Sequence, residues 1–155
     1  MKKLTNALLV NIFTAAVFML GAGCAVNSDE KKSDLTAEQT AQLDKAAEKQ
    51  CIELLEAFKN NDYPRLRKTL PVSLAKQFTE DHFKQSRNAA VKILGEIKSY
   101  EFLTRLQAPI FRNMIYRVKF QRTGNDRKTI EQEALFRVML AENNGVIQVL
   151  SFVFF

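Results

Sequence analysis

The stretch MIYRVKFQRTGNDRKTIEQEALFRVML, residues 114–140, decides the fold. Met114, Tyr116, Val118 and Phe120 alternate with Ile115, Arg117, Lys119 and Gln121. A period of two marks a strand with one buried face. Gly124-Asn125-Asp126 then has hairpin chemistry. Beyond it Ile130, Ala134, Phe136, Val138 and Leu140 alternate again, with Gln132 the one polar residue on that face. Matching the inward faces pairs Phe120 with Ile130, or with a position displaced in steps of two. In the first register Arg117 falls opposite Glu133 and Lys119 opposite Glu131. Cross-strand pairing then accounts for those charges without a functional role.

Working outward, Asn144-Gly145 marks a tight turn. Val146 to Phe155 reads as a last strand that is apolar on both faces, with Leu150, Phe152 and Phe154 on one and Val149, Val153 and Phe155 on the other. On the N-terminal side Tyr100, Phe102 and Leu106 alternate in a first strand, which Pro109 breaks. Before Gly95 the period is helical. Thr36-Ala-Glu-Gln39 fits a capping box. Leu43, Ala47, Cys51, Leu54 and Phe58 then form one apolar stripe on a long helix. Asn60-Asn61-Asp62 stops it. Pro64 suits the first turn of a short second helix through Leu70, which Pro71 ends. Thr79 caps a third helix with Glu80 and Asp81 at its positive end and Phe83, Ser86, Ala90 and Leu94 facing inward. Gly95 stands where that helix terminates. Three helices followed by a four-stranded, mainly antiparallel sheet is an α+β order, with the helices covering one face.

The domain spans residues 36–155, and a different kind of segment precedes it. Met1-Lys2-Lys3 is positive, Leu4 to Gly23 carries no charge, and Gly21-Ala22-Gly23 leads to Cys24. A basic start, an apolar stretch and small residues before a cleavage point describe an export signal over residues 1–23. The end of this segment resembles a bacterial lipoprotein signal. Ala22-Gly23-Cys24 fits that pattern, while Gly21 stands at the usual Leu position and Leu20 is one residue early. The resemblance implies a lipid, a palmitate among its chains, on Cys24. An uncleaved anchor and plain secretion with a free Cys24 are the alternatives, and all three place the domain on the non-cytoplasmic side. Ala25 in place of Asp resembles the outer-membrane-sorted class of enteric lipoproteins. Residues 24–35 are polar and mixed in charge, a flexible tether. The expected location is therefore the bacterial cell envelope, facing the periplasm.

The domain is similar to small members of the NTF2-like superfamily, cone-shaped α+β proteins. Three stretches carry the likeness: Ala57-Phe58-Lys59-Asn60-Asn61-Asp62-Tyr63, Leu94-Gly95 before the first long strand, and Tyr116-Arg-Val-Lys-Phe120. It implies a curved sheet wrapped on a long helix, with a pocket at the open end. It implies no activity, because the superfamily holds enzymes, binding modules and interaction domains.

Catalytic, metal and cofactor patterns are absent from the sequence. His82 is the one histidine and lies off the Phe83 stripe at a helix start. Glu131 and Glu133 point away from the core by parity. Cys51 lies on an apolar helix face, which suits a buried structural thiol. No spaced Cys/His set serves zinc, and no glycine-rich loop with Lys serves phosphate, so no cofactor is implied. The formal charge of +6 falls to +4 without Lys2 and Lys3. That excess is too diffuse for nucleic acid and suits an anionic surface. Arg65, Arg67 and Lys68, and Arg122, Arg127 and Lys128, form two small basic clusters. Tyr100, Tyr116, Gln132 and Phe136 are the candidate pocket lining, aromatic and uncharged. Leu135, Met139, Val153 and Phe155 make the outer sheet face apolar, which points to a homodimer. The expected function is a non-catalytic binding or interaction domain. An assembly homodimer and an isomerase- or cyclase-type enzyme are the alternatives. Labelled palmitate should enter the wild-type chain and not Cys24→Ala; equal labelling of both would remove the lipid anchor.

Overall fold

Thr36 accepts a hydrogen bond from the Gln39 amide at 3.2 Å, and the Gln39 side chain accepts from the Thr36 amide at 2.9 Å. This closed capping box starts helix α1 (Ala37–Asn60), whose stripe of Leu43, Ala47, Cys51, Leu54 and Phe58 is buried. In the computed structural model residues 36–107, 111–124 and 128–155 are described. The export segment, Cys24, the tether, Pro109 and Asn125 to Arg127 lie outside the described residues. Asn61 ends α1 in the left-handed region at φ 54°, which a short amide side chain tolerates. Asp62 caps α2 (Tyr63–Thr69) by accepting from the Arg65 amide at 2.9 Å, with Pro64 in the first turn.

Pro71 ends α2 and also opens a further short helix, α3 (Val72–Gln77). The described residues thus hold four helices, one more than the periodicity predicts. A locked φ is as compatible with starting a helix as with ending one. Packing of Leu74 and Phe78 onto the core selects the start here. Thr79 accepts from the His82 amide at 3.3 Å and begins α4 (Glu80–Leu94).

Strands β1 (Glu96–Gln107), β2 (Phe111–Thr123), β3 (Thr129–Asn143) and β4 (Val146–Phe154) form an antiparallel meander in chain order. The fold class is α+β, as expected. The β2–β3 register pairs Phe120 with Gln132 and Lys119 with Glu133, two residues from the Phe120–Ile130 register. A slip of two keeps every side chain on its face. The charges still find partners. Lys119 Nζ lies 3.6 Å from Glu133, Glu131 pairs with Lys98 of β1, and Arg117 pairs with Glu101. Asn144 and Gly145, at φ 52° and 77°, make the β3–β4 turn.

Three extra residues bend this sheet. In β1 the pairing skips Lys98 and Leu103, so Ile97, Tyr100, Phe102 and Arg105 share the concave face. Leu106, which simple alternation places inward, is turned out and is 55% exposed. In β4 the pairing skips Leu150, so Ile147 and Val149 are buried before it and Phe152 and Phe154 after it. The strand that reads as apolar on both faces is one buried face whose parity changes midway. Val149 therefore belongs to the core and not to the outer surface. Bulges of this kind raise local twist and bend the bulged strand.

The concave face closes over α1. The Phe58 ring meets Phe83 at 5.2 Å, Phe154 at 5.6 Å, Phe152 at 5.7 Å and Phe136 at 6.4 Å between centroids. Tilted and edge-on ring pairs each contribute about 0.5–1.5 kcal/mol beyond area burial. Arg87 of α4 ties the helices together, its Nε donating to the Phe58 carbonyl at 2.8 Å.

The helix-to-sheet corner is tight. Gly95 has φ 96°, and a Cβ there would lie 2.4 Å from the Gln121 carbonyl oxygen. Gly95→Ala should lower stability by about 2 kcal/mol or more, since backbone strain and a backbone clash act together. Urea unfolding reads this, and a loss under about 0.5 kcal/mol would show the corner to be loose.

Candidate functional site at the mouth of the cone

The aromatic end of the cone is full. Phe136 is wholly buried, its ring 4.5 Å from that of Phe154. Gln132, a polar residue on the inward face of β3, donates through Nε2 to the Ile93 carbonyl at 2.9 Å and the Leu94 carbonyl at 2.8 Å. It satisfies carbonyls at the end of α4, which have no partner within the helix. A space of about 20 Å³ beneath Phe58, Arg87, Val91 and Phe120 has room for roughly one water. An open groove of about 430 Å³ crosses Val91, Ile97, Lys98, Gln121 and Arg122 on the surface nearby.

Tyr100 and Tyr116 meet edge-on at 6.5 Å, and Phe102 adds its ring to Tyr116 at 5.5 Å. The structure thus brings Tyr100 and Tyr116 together, with Phe136 paired to Tyr116 across the strands. It places Gln132 farther along β3. Tyr116 is buried against Cys51 of α1, and its hydroxyl has no well-formed hydrogen bond. Burial raises the Tyr116 phenol and pushes the Cys51 thiol up to about 12, so Cys51 stays protonated at neutral pH. A thiol in that state is no nucleophile.

Tyr100 is half-buried and donates to Glu56 Oε1 at 2.8 Å. Asn60 Nδ2 donates to the other Glu56 oxygen at 3.0 Å. Next to them Arg65 bonds Glu53 through Nε at 2.6 Å. The hydrogen bond from Tyr100 is the main reason that the Glu56 carboxyl lies below its usual range. Arg65 does the same for Glu53. Arg65 is therefore committed within the domain, while Arg67 and Lys68 are exposed. His82 is exposed beside the Gln77 carbonyl. On the outer sheet face Leu135, Met139 and Val153 are half-buried, and Phe155 is exposed with the Arg137 guanidinium 5.8 Å over its ring.

The polar features of the concave face gather at the opposite end. Arg112 of β2 is two positions before Met114 and shares its inward face, opposite Leu140. Its side chain is only 8% exposed. Asp44, next to Leu43 on α1, faces it with Oδ1 3.4 Å from Arg112 Nε. The other Asp44 oxygen is taken by Arg105, which the Leu103 bulge turns inward on β1. Arg112 Nε and Asp44 Oδ1 are buried and neither has a hydrogen bond. Gln50 of α1 donates to the Ile147 carbonyl at 2.9 Å, leaving its own buried oxygen without a donor. Glu142, past Leu140 on β3, also takes the inward parity, opposite Ile147, and is half-buried. Parity alone locates Arg112, since it extends the Met114–Phe120 alternation backward by one step. Arg105 and Asp44 needed the bulge and the helix packing. Glu142 needed the full length of β3, which runs to Asn143.

Four helices over the concave face of a bulged meander form the cone that the NTF2-like resemblance implies. No family model and no curated protein matches the chain. Solved structures similar in shape include Aln2 from a Streptomyces species, at 13% identity and TM-score 0.45, covering 77% of this chain and 91% of that one. A protein from Campylobacter jejuni described as an NTF2-like transpeptidase has 14% identity and TM-score 0.41, covering 65% and 94%. A SEC-C motif containing protein from Rhodopseudomonas palustris has 16% identity and TM-score 0.43, covering 63% and 70%. Likenesses of this size assign no activity, substrate or partner to the chain. Among the described residues no helix is long and apolar enough to cross a membrane.

The Tyr100–Glu56 bond gives a pH test. A carboxyl lowered on folding stabilises the domain above its unfolded value, near 4.5, and loses that contribution as pH falls through its folded value. Tyr100→Phe should cost about 1 kcal/mol at pH 7. The gap between variant and wild type should narrow as pH falls below 4.5 and Glu56 protonates. Urea midpoints across that range read it, and a gap that stays constant with pH would refute the assignment.

Proposed function

We propose that the chain is an envelope lipoprotein whose domain is a non-catalytic binding module, open at the Arg112 end of the cone. One observation carries the reading. Arg112, Asp44 and Gln50 gather at one end of the concave face, and Arg112 Nε, Asp44 Oδ1 and Gln50 Oε1 are buried there without a hydrogen bond. Asp44 pairs with the Arg112 charge at 3.4 Å, but a buried polar atom left without a hydrogen bond costs about 1–3 kcal/mol. The phenylalanine cluster supports the reading by filling the other end and leaving polar chemistry at the mouth. The export-type N-terminus and the tether after Cys24 support an anchored domain held off a membrane surface.

Two competing readings have their own observations. Phe155, exposed beside half-buried Leu135, Met139 and Val153, favours an assembly homodimer through the outer sheet face. Glu142, on the inward face at the mouth, favours acid–base catalysis. An NMR screen of small neutral and charged compounds against the full chain in mild detergent separates the three. The binding reading expects shifts that gather on residues 43–47, 105–107, 112–114 and 140–147. Shifts on Leu135, Met139, Val153 and Phe155, with a two-copy mass by light scattering, would replace it with the homodimer. Turnover of a bound compound that Glu142→Gln abolishes while binding persists would replace it with the enzyme.

A further inference from the structure

We propose that the face built by α2 and α3, with Arg67, Lys68, Val72 and Lys76 outermost, is the surface that the domain lays against a bilayer carrying anionic lipid. This rests on the envelope-lipoprotein reading above and adds which face meets the membrane and by what chemistry.

The inference follows from where paired and unpaired cations lie. On the outer sheet face Lys98 pairs with Glu131, Arg117 with Glu101, and Lys119 with Glu133. At the cone mouth Arg105 and Arg112 share Asp44. On α4 Lys84 pairs with Glu80, and Arg87 pairs with Glu96. The stretch 63–78 differs, because it holds Arg65, Arg67, Lys68 and Lys76 and no acidic residue. Glu53 of α1 neutralises Arg65. Arg67, Lys68 and Lys76 are exposed, and no ion pair engages them among the described residues. Of the acids that flank the stretch, Asp62 is turned onto the Arg65 amide and Glu80 holds Lys84.

Surface cations at a helix end are ordinarily solvated and favoured by its dipole. Here an apolar feature accompanies them. Val72, at the tip where α2 gives way to α3, is 73% exposed, more than any other large apolar side chain among the described residues. Lys76 is four residues on along α3 and shares its face. The two helices are nevertheless held firmly. Leu66, Leu70 and Phe78 are buried in the core, and the Tyr63 hydroxyl donates to the Phe78 carbonyl at 3.0 Å. A fixed apolar tip flanked by unpaired cations suits the lipid interface, where the side chain enters the headgroup boundary and the cations meet phosphates. The tether permits this placement. Residues 24–35 extend to about 40 Å at most, and α1, with 24 residues, is about 36 Å long. The domain can therefore lie with its helical side on the surface that holds Cys24, and tethering raises the local concentration of that face.

The test uses the full chain, ¹⁵N-labelled and reconstituted into lipid nanodiscs that carry a gadolinium-headgroup lipid. One set of discs is phosphatidylcholine alone, and the other includes phosphatidylglycerol. With phosphatidylglycerol, amide broadening should gather on residues 67–76 and fade as salt is raised. Arg67→Gln, Lys68→Gln and Lys76→Gln should each lower the ratio of docked to free domain about fivefold. Should a variant fail to fold, the lipid and salt dependence decide alone. Equal broadening in both kinds of disc, or an unchanged ratio in all three variants, would overturn the electrostatic contact. Broadening gathered on Leu106 and Val146 would overturn the choice of face and stand the domain on its mouth. In each of these outcomes the chain stays with the discs. A chain that separates from both kinds of disc would instead overturn the envelope reading, and this contact with it.

Discussion

Leu43, Ala47, Cys51, Leu54 and Phe58 line one face of α1, and a four-stranded sheet has to bend around that face for either to be buried. A helix stripe is convex and a flat sheet is not, so the sheet needs a device that bends it. Skipped residues at Lys98, Leu103 and Leu150 supply it. Small side chains help at the closest approach: Ala47 and Cys51 are wholly buried, and the Tyr116 phenol packs against Cys51. The large rings collect where the space widens, with Phe58 as their hub.

This division of volume separates a filled end from a polar one. Rings fill the end near Gly95, where Arg87 and Gln132 satisfy helix carbonyls and the Gly95 corner admits no side chain. Polar groups concentrate at the Arg112 end, where hydrogen bonds are incomplete. Interiors tolerate few such gaps, because a buried polar atom without a partner forfeits its hydration. A filled, rigid body therefore holds a small set of under-bonded groups in fixed positions.

Much of the fold was legible in the residues. The capping box at Thr36, the stop at Asn61, the α1 stripe and the β2 alternation are local signals, and each one is where the sequence places it. Reading failed where one extra residue changed parity. Leu106 and Val149 changed sides for that reason, and the two apolar faces of β4 became one. Nothing at Leu103 or Leu150 distinguishes a bulged residue from a paired one, because the bulge answers to the curvature of the whole sheet. The candidate site was legible in part. Arg112 lay one step back along a recognised alternation, whereas Asp44 and Arg105 are 61 positions apart and meet through packing.

The sequence by itself determined where α1, α2 and α4 begin and end, which faces of β2 and β3 are apolar, and the order of helices before strands. These depend on capping, backbone geometry and side-chain period, all set within a few residues. Tertiary structure alone decided the register, the parity changes, the fate of Gln132 and the meeting of Arg112, Arg105 and Asp44. Those depend on how a bent sheet closes over one helix, and that closure is a property of distant segments acting together.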